Sequence, residues 1–239
     1  MAMPDRLHVW ITGAGRGIGH AVAQALAADH VLSISGRDTA RLAEVVAHAP
    51  SGASITAHAC DVRSEASVRE AHDVFVASNG PVDVLINNAG IGTFRPLFDL
   101  TVDEFDEQIA VNLRGVFLCI KAVLPSMLER QRGQIVTVNS IAAVTAYTSS
   151  TAYGASKSGA LALTRSLRNE VRDAGIKVHD LLVGATATDI WPDTARDEFG
   201  HRMMRPDDVA AVVKDLVADF FHPRTHIEEL ILRPQRGDL

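Results

Sequence analysis

Thr12-Gly13-Ala14-Gly15-Arg16-Gly17-Ile18-Gly19 joins an apolar run, Leu7–Thr12, to a helical pattern over about 17–28. Glycines at such a junction let the backbone turn sharply and come close to a ligand. The helix that follows presents unpaired N–H groups and the positive end of its dipole to an anion. Gly13, Gly15, Arg16, Gly17, Ile18 and Gly19 therefore read as a pyrophosphate cradle. A flexible turn with spare glycines is the plainer alternative, and the strand-loop-helix context argues against it. The spacing is Gly-x-x-x-Gly-x-Gly, not the strict Gly-x-Gly-x-x-Gly of many dinucleotide sites.

Outward from this loop, short β-like runs alternate with helical patterns along the whole chain. Strands are expected at Leu7–Thr12, His30–Ser35, Ala53–Cys60, Val82–Asn87, Gln134–Asn139, Ile176–Val183 and Ile227–Leu232. Helices are expected at about 17–28, 38–48, 64–78, 102–130, 152–173 and 206–220. This alternation predicts an α/β fold: a doubly wound parallel (Rossmann) sheet of about seven strands with helices on both faces. With no repeat, low-complexity tract or linker, one domain over 1–239 is expected. Ligands of such sheets bind beyond the carboxyl ends of the strands. Asp189–Arg205, the least regular stretch, follows a strand end and is the expected mobile lid.

The end of the second strand bears on the choice of dinucleotide. An acidic residue there binds a ribose 2′-hydroxyl, whereas arginine accommodates a 2′-phosphate. The chain reads Ser33-Ile34-Ser35-Gly36-Arg37-Asp38, with no acid at position 35 or 36. Arg37, with Arg16 from the glycine loop, favours NADP(H) over NAD(H), since planar guanidinium groups suit phosphate. Asp38 is open to two readings: a ribose ligand, or the N-cap of the helix starting near Thr39.

A second constellation lies farther along. Tyr153 and Lys157 stand four residues apart in Tyr153-Gly154-Ala155-Ser156-Lys157, thirteen positions after Ser140. On a helix such a pair shares one face, about 5–6 Å apart at Cβ. An ammonium beside a phenol favours the phenolate and is expected to lower the tyrosine pKa. Such a tyrosine can give a proton to a carbonyl oxygen or take one from an alcohol. Ser140 and Tyr153 together would donate hydrogen bonds where carbonyl reduction develops negative charge.

In this order and spacing, Thr12-Gly13-x-x-x-Gly17-x-Gly19, Asp61-Val62, Asn87-Asn88-Ala89-Gly90, Asn112, Ser140, Tyr153 and Lys157 give the chain a family likeness. It resembles the short-chain dehydrogenases/reductases in their compact single-domain form, from about Leu7 to about Arg233. The resemblance implies that Asp61 and Val62 flank the adenine, and that Asn88, Ala89 and Gly90 pack the adenosine side and steady the sheet. It implies Tyr153 as general acid in reduction and base in oxidation. Lys157 would hold the nicotinamide ribose and depress the tyrosine pKa. Ser140 would bind the substrate carbonyl, Asn112 would hold a relay water, and Thr188 would touch the carboxamide. Read singly, Asn112 could instead satisfy a helix backbone and Ser140 could cap a strand end.

The chain also departs from the family pattern. Val183-Gly184 replaces the common Pro-Gly, and losing a fixed φ is expected to loosen the loop near the nicotinamide. The tail, Phe220-Phe221-His222-Pro223 and Glu228-Glu229-Leu230-Ile231-Leu232-Arg233-Pro234, differs from that of fatty-acid-synthesis ketoacyl reductases. It looks more like the branch acting on small ketones, aldehydes or 3-hydroxy acids. Pocket candidates are Ala142, Tyr147, Ile190 and Trp191, beneath a short lid and so in a fairly open pocket. Trp191 could cover a substrate or simply pack. His201, His222 and His226 lack ligand spacing and read as surface histidines, so no metal site is expected. Asp103-Glu104-Asp106-Glu107 sits near a helix start, where negative charge is favourable.

Composition narrows the partners. Over 239 residues, 47% apolar and 22% charged residues suit a globular protein with a sizeable core. A net charge of −6 argues against a nucleic-acid binder. No run of eighteen apolar residues suggests a membrane span, and the start, Met1-Ala2-Met3-Pro4-Asp5-Arg6, has no signal-peptide core. Cys60 and Cys119 read as small buried hydrophobes, and a cytoplasmic location is expected. By analogy with the family, a homodimer or homotetramer is expected through the two long helices, with Val116, Phe117, Leu118, Ile120, Ala160, Leu161 and Leu163 as supporting apolar residues. The leading expectation is an NADP(H)-dependent oxidoreductase interconverting a small-molecule ketone or aldehyde and its alcohol. A 3-oxoacyl thioester reductase and a non-catalytic NADP-binding sensor are the alternatives. A sugar-nucleotide epimerase would need a longer C-terminal substrate domain.

Overall fold

The computed structural model describes residues 6–222 and 224–237. Residues 1–5 and Pro223, which figured in the readings of the start and the tail, lie outside the described residues. The elements run β1 (His8–Thr12), α1 (Gly17–Leu26), β2 (Val31–Gly36), α2 (Thr39–Ala47), β3 (Ser54–Ala59), α3 (Glu65–Asn79) and β4 (Val84–Asn87). Then come α4 (Val102–Ile109), α5 (Gly115–Arg130), β5 (Gly133–Ser140), α6 (Thr151–Val171), β6 (Ile176–Val183), α7 (Asp193–Phe199), α8 (Pro206–Ala218) and β7 (Glu229–Leu232). The strands form one sheet in the order β3-β2-β1-β4-β5-β6-β7, all pairs parallel. The order reverses between β1 and β4, and the crevice that this opens lies at the carboxyl ends of those strands.

A parallel sheet covered on both faces needs strands that are apolar throughout. β1, β4 and β5 are buried at every position. Val9 and Ile11 enter a cluster with α1, α2 and α8. Trp10 points the other way, into a cluster with α3, α5 and the end of α6. The Trp10 indole donates to Ser35 Oγ at 2.9 Å, so its one polar atom is satisfied inside the core. Cys60 and Cys119 are buried and free in the same cluster, and desolvation pushes the Cys60 thiol up to about 11.

Helix starts follow local chemistry. Asp38 caps α2, its carboxylate accepting from Arg41 N at 3.1 Å, and Ser64 caps α3 in the same way. Thr101 and Glu104 form a reciprocal capping box on α4, which accounts for part of the acidic run there. Helices α4 and α5 are continuous through a π-helical segment, Ala110–Arg114. By length and composition, Val102–Arg130 could cross a bilayer. In the fold it is a core helix, with Val116, Cys119, Val123 and Met127 packed against the sheet.

This packing corrects which apolar residues could support an interface. Val116, Leu118, Ile120, Ala160 and Leu161 are buried within the protein's own core, and of the seven residues only Phe117 is markedly exposed. The large apolar side chains left outside on or near these helices include Leu97, Phe98, Val102, Phe105 and Leu128. His226 departs from expectation as well. It is half-buried, its Nε2 within 3.1 Å of Val178 N and its ring packed on His179. His201 and His222 are exposed.

Candidate active site

The cradle is set by backbone constraints. Gly13 has φ +66°, and a Cβ there would stand 2.7 Å from Ala89 Cα. Gly19 leaves room for Asn88, whose Nδ2 donates to Thr12 O at 3.0 Å and Gly13 O at 3.1 Å. Thr12 Oγ1 accepts from both Asn88 N and Ala89 N at 3.1 Å. The glycine loop and the Asn87–Gly90 loop are thus bound together across the switch point. Thr12 is a hinge pin whose part sequence reasoning left unassigned. Helix α1 begins with no side-chain cap and no acidic residue in its first turn. Its free N–H groups and dipole face the crevice unopposed.

Charged groups gather around this end. Arg37 is exposed beyond β2, with Asp61 as a nearby charge. Arg41 from α2 lies against the loop, its Cβ 3.2 Å from where a Gly15 Cβ would be. Arg16 meets Asp189 at 3.2 Å, and Arg41 approaches the same carboxylate at 3.7 Å. Asp61 is gripped by Arg63, which donates from Nε at 3.0 Å to both carboxylate oxygens and from Nη2 at 2.6 Å. These bonds hold the Asp61 carboxyl below the usual range. Val62 packs on Gly115 of α5.

The candidate catalytic residues converge at the carboxyl ends of β4 and β5. Ser140 ends β5 and shares a hydrogen bond with the Tyr153 phenol. Lys157 is buried, and its Nζ lies 5.9 Å from the Tyr153 ring centroid and donates to Val138 O at 3.2 Å. The expected lowering of the tyrosine pKa is not met in the protein alone. Desolvation pushes the phenol above its ordinary value, with only the Ser140 hydrogen bond opposing it. Lys157 moves instead: burial lowers its ammonium to about 8, against the pull of Asp180.

Asn112 lies in the π-helical segment, a distortion common at functional positions. Its Oδ1 accepts from Ile91 N at 2.9 Å, and its Nδ2 donates to Ile91 O at 2.9 Å and Ser156 Oγ at 3.0 Å. The side chain is therefore committed to bracing the loop after β4 against α6. Gly90 keeps the space between Asn112 and Lys157 open, since a Cβ there would lie 3.4 Å from Asn112 Oδ1 and 3.7 Å from Lys157 Nζ.

On the substrate side the structure adds a residue that sequence reasoning missed. The Phe94 ring stacks on Trp191 at 5.6 Å and 15°, and meets Tyr153 edge-on at 5.3 Å and 62°. Ile190 closes the same wall through Gly92. Ala142 is buried directly behind Ser140, its N–H donating to Ser140 Oγ at 3.1 Å. Tyr147 packs on a small cluster of Ile141, Leu161 and Leu182. The one signal for Phe94 was an aromatic residue four positions after the Asn-Asn-Ala-Gly loop.

Two expectations about loops are corrected. The Val183-Gly184 turn is tied down without proline: Gly184 N donates to Leu232 O at 2.7 Å, and Ala185 and Ala187 exchange backbone bonds with Met204. Asp189–Arg205 is not irregular, since it contains α7 and is anchored by buried Met203 and Met204. Thr188 touches the glycine loop, its methyl 3.2 Å from where a Gly17 Cβ would sit.

A family model described as short chain dehydrogenase matches residues 7–198. The chain belongs to the short-chain dehydrogenase family. Sepiapterin reductase of Chlorobaculum tepidum is 36% identical over 239 residues, covering 96% of each chain. Among solved structures, an alcohol dehydrogenase from Thermococcus sibiricus complexed with 5-hydroxy-NADP superimposes with a TM-score of 0.89 at 30% identity, covering 98% of this chain and 99% of that one. A metagenomic short-chain oxidoreductase in complex with NADP gives 0.80 at 31% identity, covering 96% and 97%. This short-chain dehydrogenase is therefore an oxidoreductase of that family.

Proposed function

We propose that this short-chain dehydrogenase uses NADPH to reduce a carbonyl carried by a flat, conjugated small molecule, with Tyr153 as proton donor. The observation that carries the substrate class is Phe94, placed between Trp191 and Tyr153 with its ring parallel to the indole. An aromatic wall beside the proton donor favours a planar partner over a flexible acyl chain. The likeness to a protein named sepiapterin reductase supports a reductase reading.

The protein's residues suit the dinucleotide. Arg37, Arg16 and Arg41 supply cations near the end of β2, where no acid would bind a 2′-hydroxyl. The uncapped start of α1 would take the pyrophosphate, and Asp61, Val62, Asn88, Ala89 and Gly90 would line the adenosine side. Thr188 would meet the carboxamide, and Lys157 the nicotinamide ribose. NADP-bound relatives at about 30% identity support the same choice. When bound, NADPH supplies the hydride. The chain's own part is to orient and to protonate. Ser140 and Tyr153 donate to the substrate oxygen as charge builds on it. A phenol kept neutral by burial is in the protonation state that reduction requires. Lys157 holds positive charge close by, and Asn112 braces the wall behind it.

Two buried, unpaired cysteines suit a reducing cytoplasm. Exposed Leu97, Phe98, Val102, Phe105 and Phe117 support self-association through the α4–α5 face. The test of function is NADPH oxidation with flat conjugated diketones, aliphatic ketones and 3-oxoacyl thioesters. Tyr153→Phe is expected to lose on the order of 10²–10⁴-fold in kcat while binding NADPH normally. Turnover that survives this change, or a preference for flexible thioesters, would overturn the reading.

A further inference from the structure

Behind the reacting residues, away from the cleft, lies a buried polar group that the mechanism above does not use. Asp180, at the middle of β6, has a side chain with no exposure, and Arg168 of α6 meets it at 2.9 Å with 5%. Thr164 Oγ1 donates to both carboxylate oxygens, at 2.9 and 2.8 Å. Asn139, on the neighbouring strand, also hydrogen-bonds this carboxylate. Desolvating an ion pair costs several kcal/mol, so a fully buried one is weak evidence for stability.

Asn139 supplies the reason to retain it. Its Oδ1 accepts from Ser140 N at 2.8 Å, and its Nδ2 donates to the Lys157 carbonyl at 3.3 Å. One side chain thus ties the strand bearing Ser140 to the helix bearing Tyr153 and Lys157. The Asp180 carboxylate stands behind this amide and is stabilised by it. Among the described residues Lys157 pairs with no carboxylate, and its one hydrogen-bond acceptor is Val138 O. Around it stand Tyr153 on its own helix, Ser140 on β5, Asn112 from the π-helical segment and Asp180 on β6. Asp180 in turn faces Arg168 and Thr164 on α6, Asn139 on β5 and Glu229 on β7.

We propose that Asp180 and Asn139 are positioning residues of the reaction: Asn139 sets the spacing of Ser140 and Lys157, and buried Asp180, held by Thr164 and Arg168, fixes the helix that carries Lys157 against the sheet behind Asn139. The direction of the Lys157 titration agrees, since Asp180 is the group opposing its desolvation. Removing that carboxylate must lower the lysine pKa further, because the ammonium loses a stabilising negative charge.

The chain has four lysines, Lys121, Lys157, Lys177 and Lys214, so ¹³Cε-labelled lysine resolves the Lys157 titration by NMR in the full-length protein. In Asp180→Asn, which keeps the shape, the Lys157 midpoint is expected to fall by about one unit. Asn139→Ala leaves the Asp180–Arg168 pair intact and keeps the inference testable if Asp180→Asn does not fold. Its kcat with NADPH and phenanthrenequinone is expected to fall roughly 10–100-fold at unchanged NADPH Kd, the signature of misplaced groups. A Lys157 midpoint that Asp180→Asn leaves in place, or full kcat in Asn139→Ala, overturns the inference. It rests on the reading of Tyr153 and Lys157 as the reacting pair. The lysine titration needs no substrate, however, so its failure is separate from turnover that survives Tyr153→Phe.

Discussion

The two ends of the site are built by different means. At the dinucleotide end, β1, α1 and the loop after β4 meet through backbone: Gly13 against Ala89, and Asn88 and Thr12 bridging main-chain atoms. At the substrate end, Phe94, Ile190 and Trp191 meet through side chains carried by two distant loops. Backbone contacts forbid most substitutions, because any Cβ in the wrong place clashes. Side-chain contacts tolerate exchange at a modest energetic cost. A fold that holds one cofactor and varies its substrate needs both kinds of wall.

Gly13→Ala challenges the rigid end and should have the largest effect. It forces φ +66° on alanine and drives a methyl into Ala89 Cα. A loss of about 3 kcal/mol is expected in urea unfolding, with NADPH binding lost alongside. Wild-type stability and binding would show that the loop gives way. Next is Arg37→Asp, which replaces a phosphate partner with a carboxylate suited to a 2′-hydroxyl. The NADPH-to-NADH ratio of kcat/KM should fall by roughly 10–100-fold; a constant ratio would move cofactor choice to Arg16 and Arg41.

Phe94→Ala tests the softer wall. Losing one stacked pair is worth about 0.5–1.5 kcal/mol beyond area burial, so KM for a flat diketone should rise by roughly 2–12-fold. KM for acetone-sized ketones should barely move. An equal rise for both would mark Phe94 as a prop for Tyr153, not a substrate contact. The smallest effect is expected from Asp38→Ala, which removes an N-cap worth about 1 kcal/mol. Stability should drop by that amount while the cofactor ratio stays fixed. A changed ratio would revive Asp38 as a ribose ligand.

Strand and helix positions were readable because a sheet buried on both faces writes its strands as continuous apolar runs. Leu7–Thr12 was expected and His8–Thr12 found; Ile176–Val183 was read without error. The last strand was drawn too long, from Ile227, because it is an edge and only Glu229–Leu232 pairs with β6. The glycine loop, Ser140, Tyr153 and Lys157 were readable because each carries a residue type that few other roles demand. Phe94 and Asp180 were not. An aromatic residue in a loop and an acid in a strand acquire meaning only from what lies opposite, Trp191 in one case and Arg168 with Asn139 in the other.

The sequence by itself determined the order of elements, the cradle and the Tyr-Lys pair, since these depend on near neighbours and on backbone freedom. Tertiary structure alone decided which apolar residues of α5 and α6 face the core, that the phenol is pushed up in pKa, and which rings flank it. Burial and long-range contact are properties of the packed chain. No local spacing encodes how much water a side chain will lose.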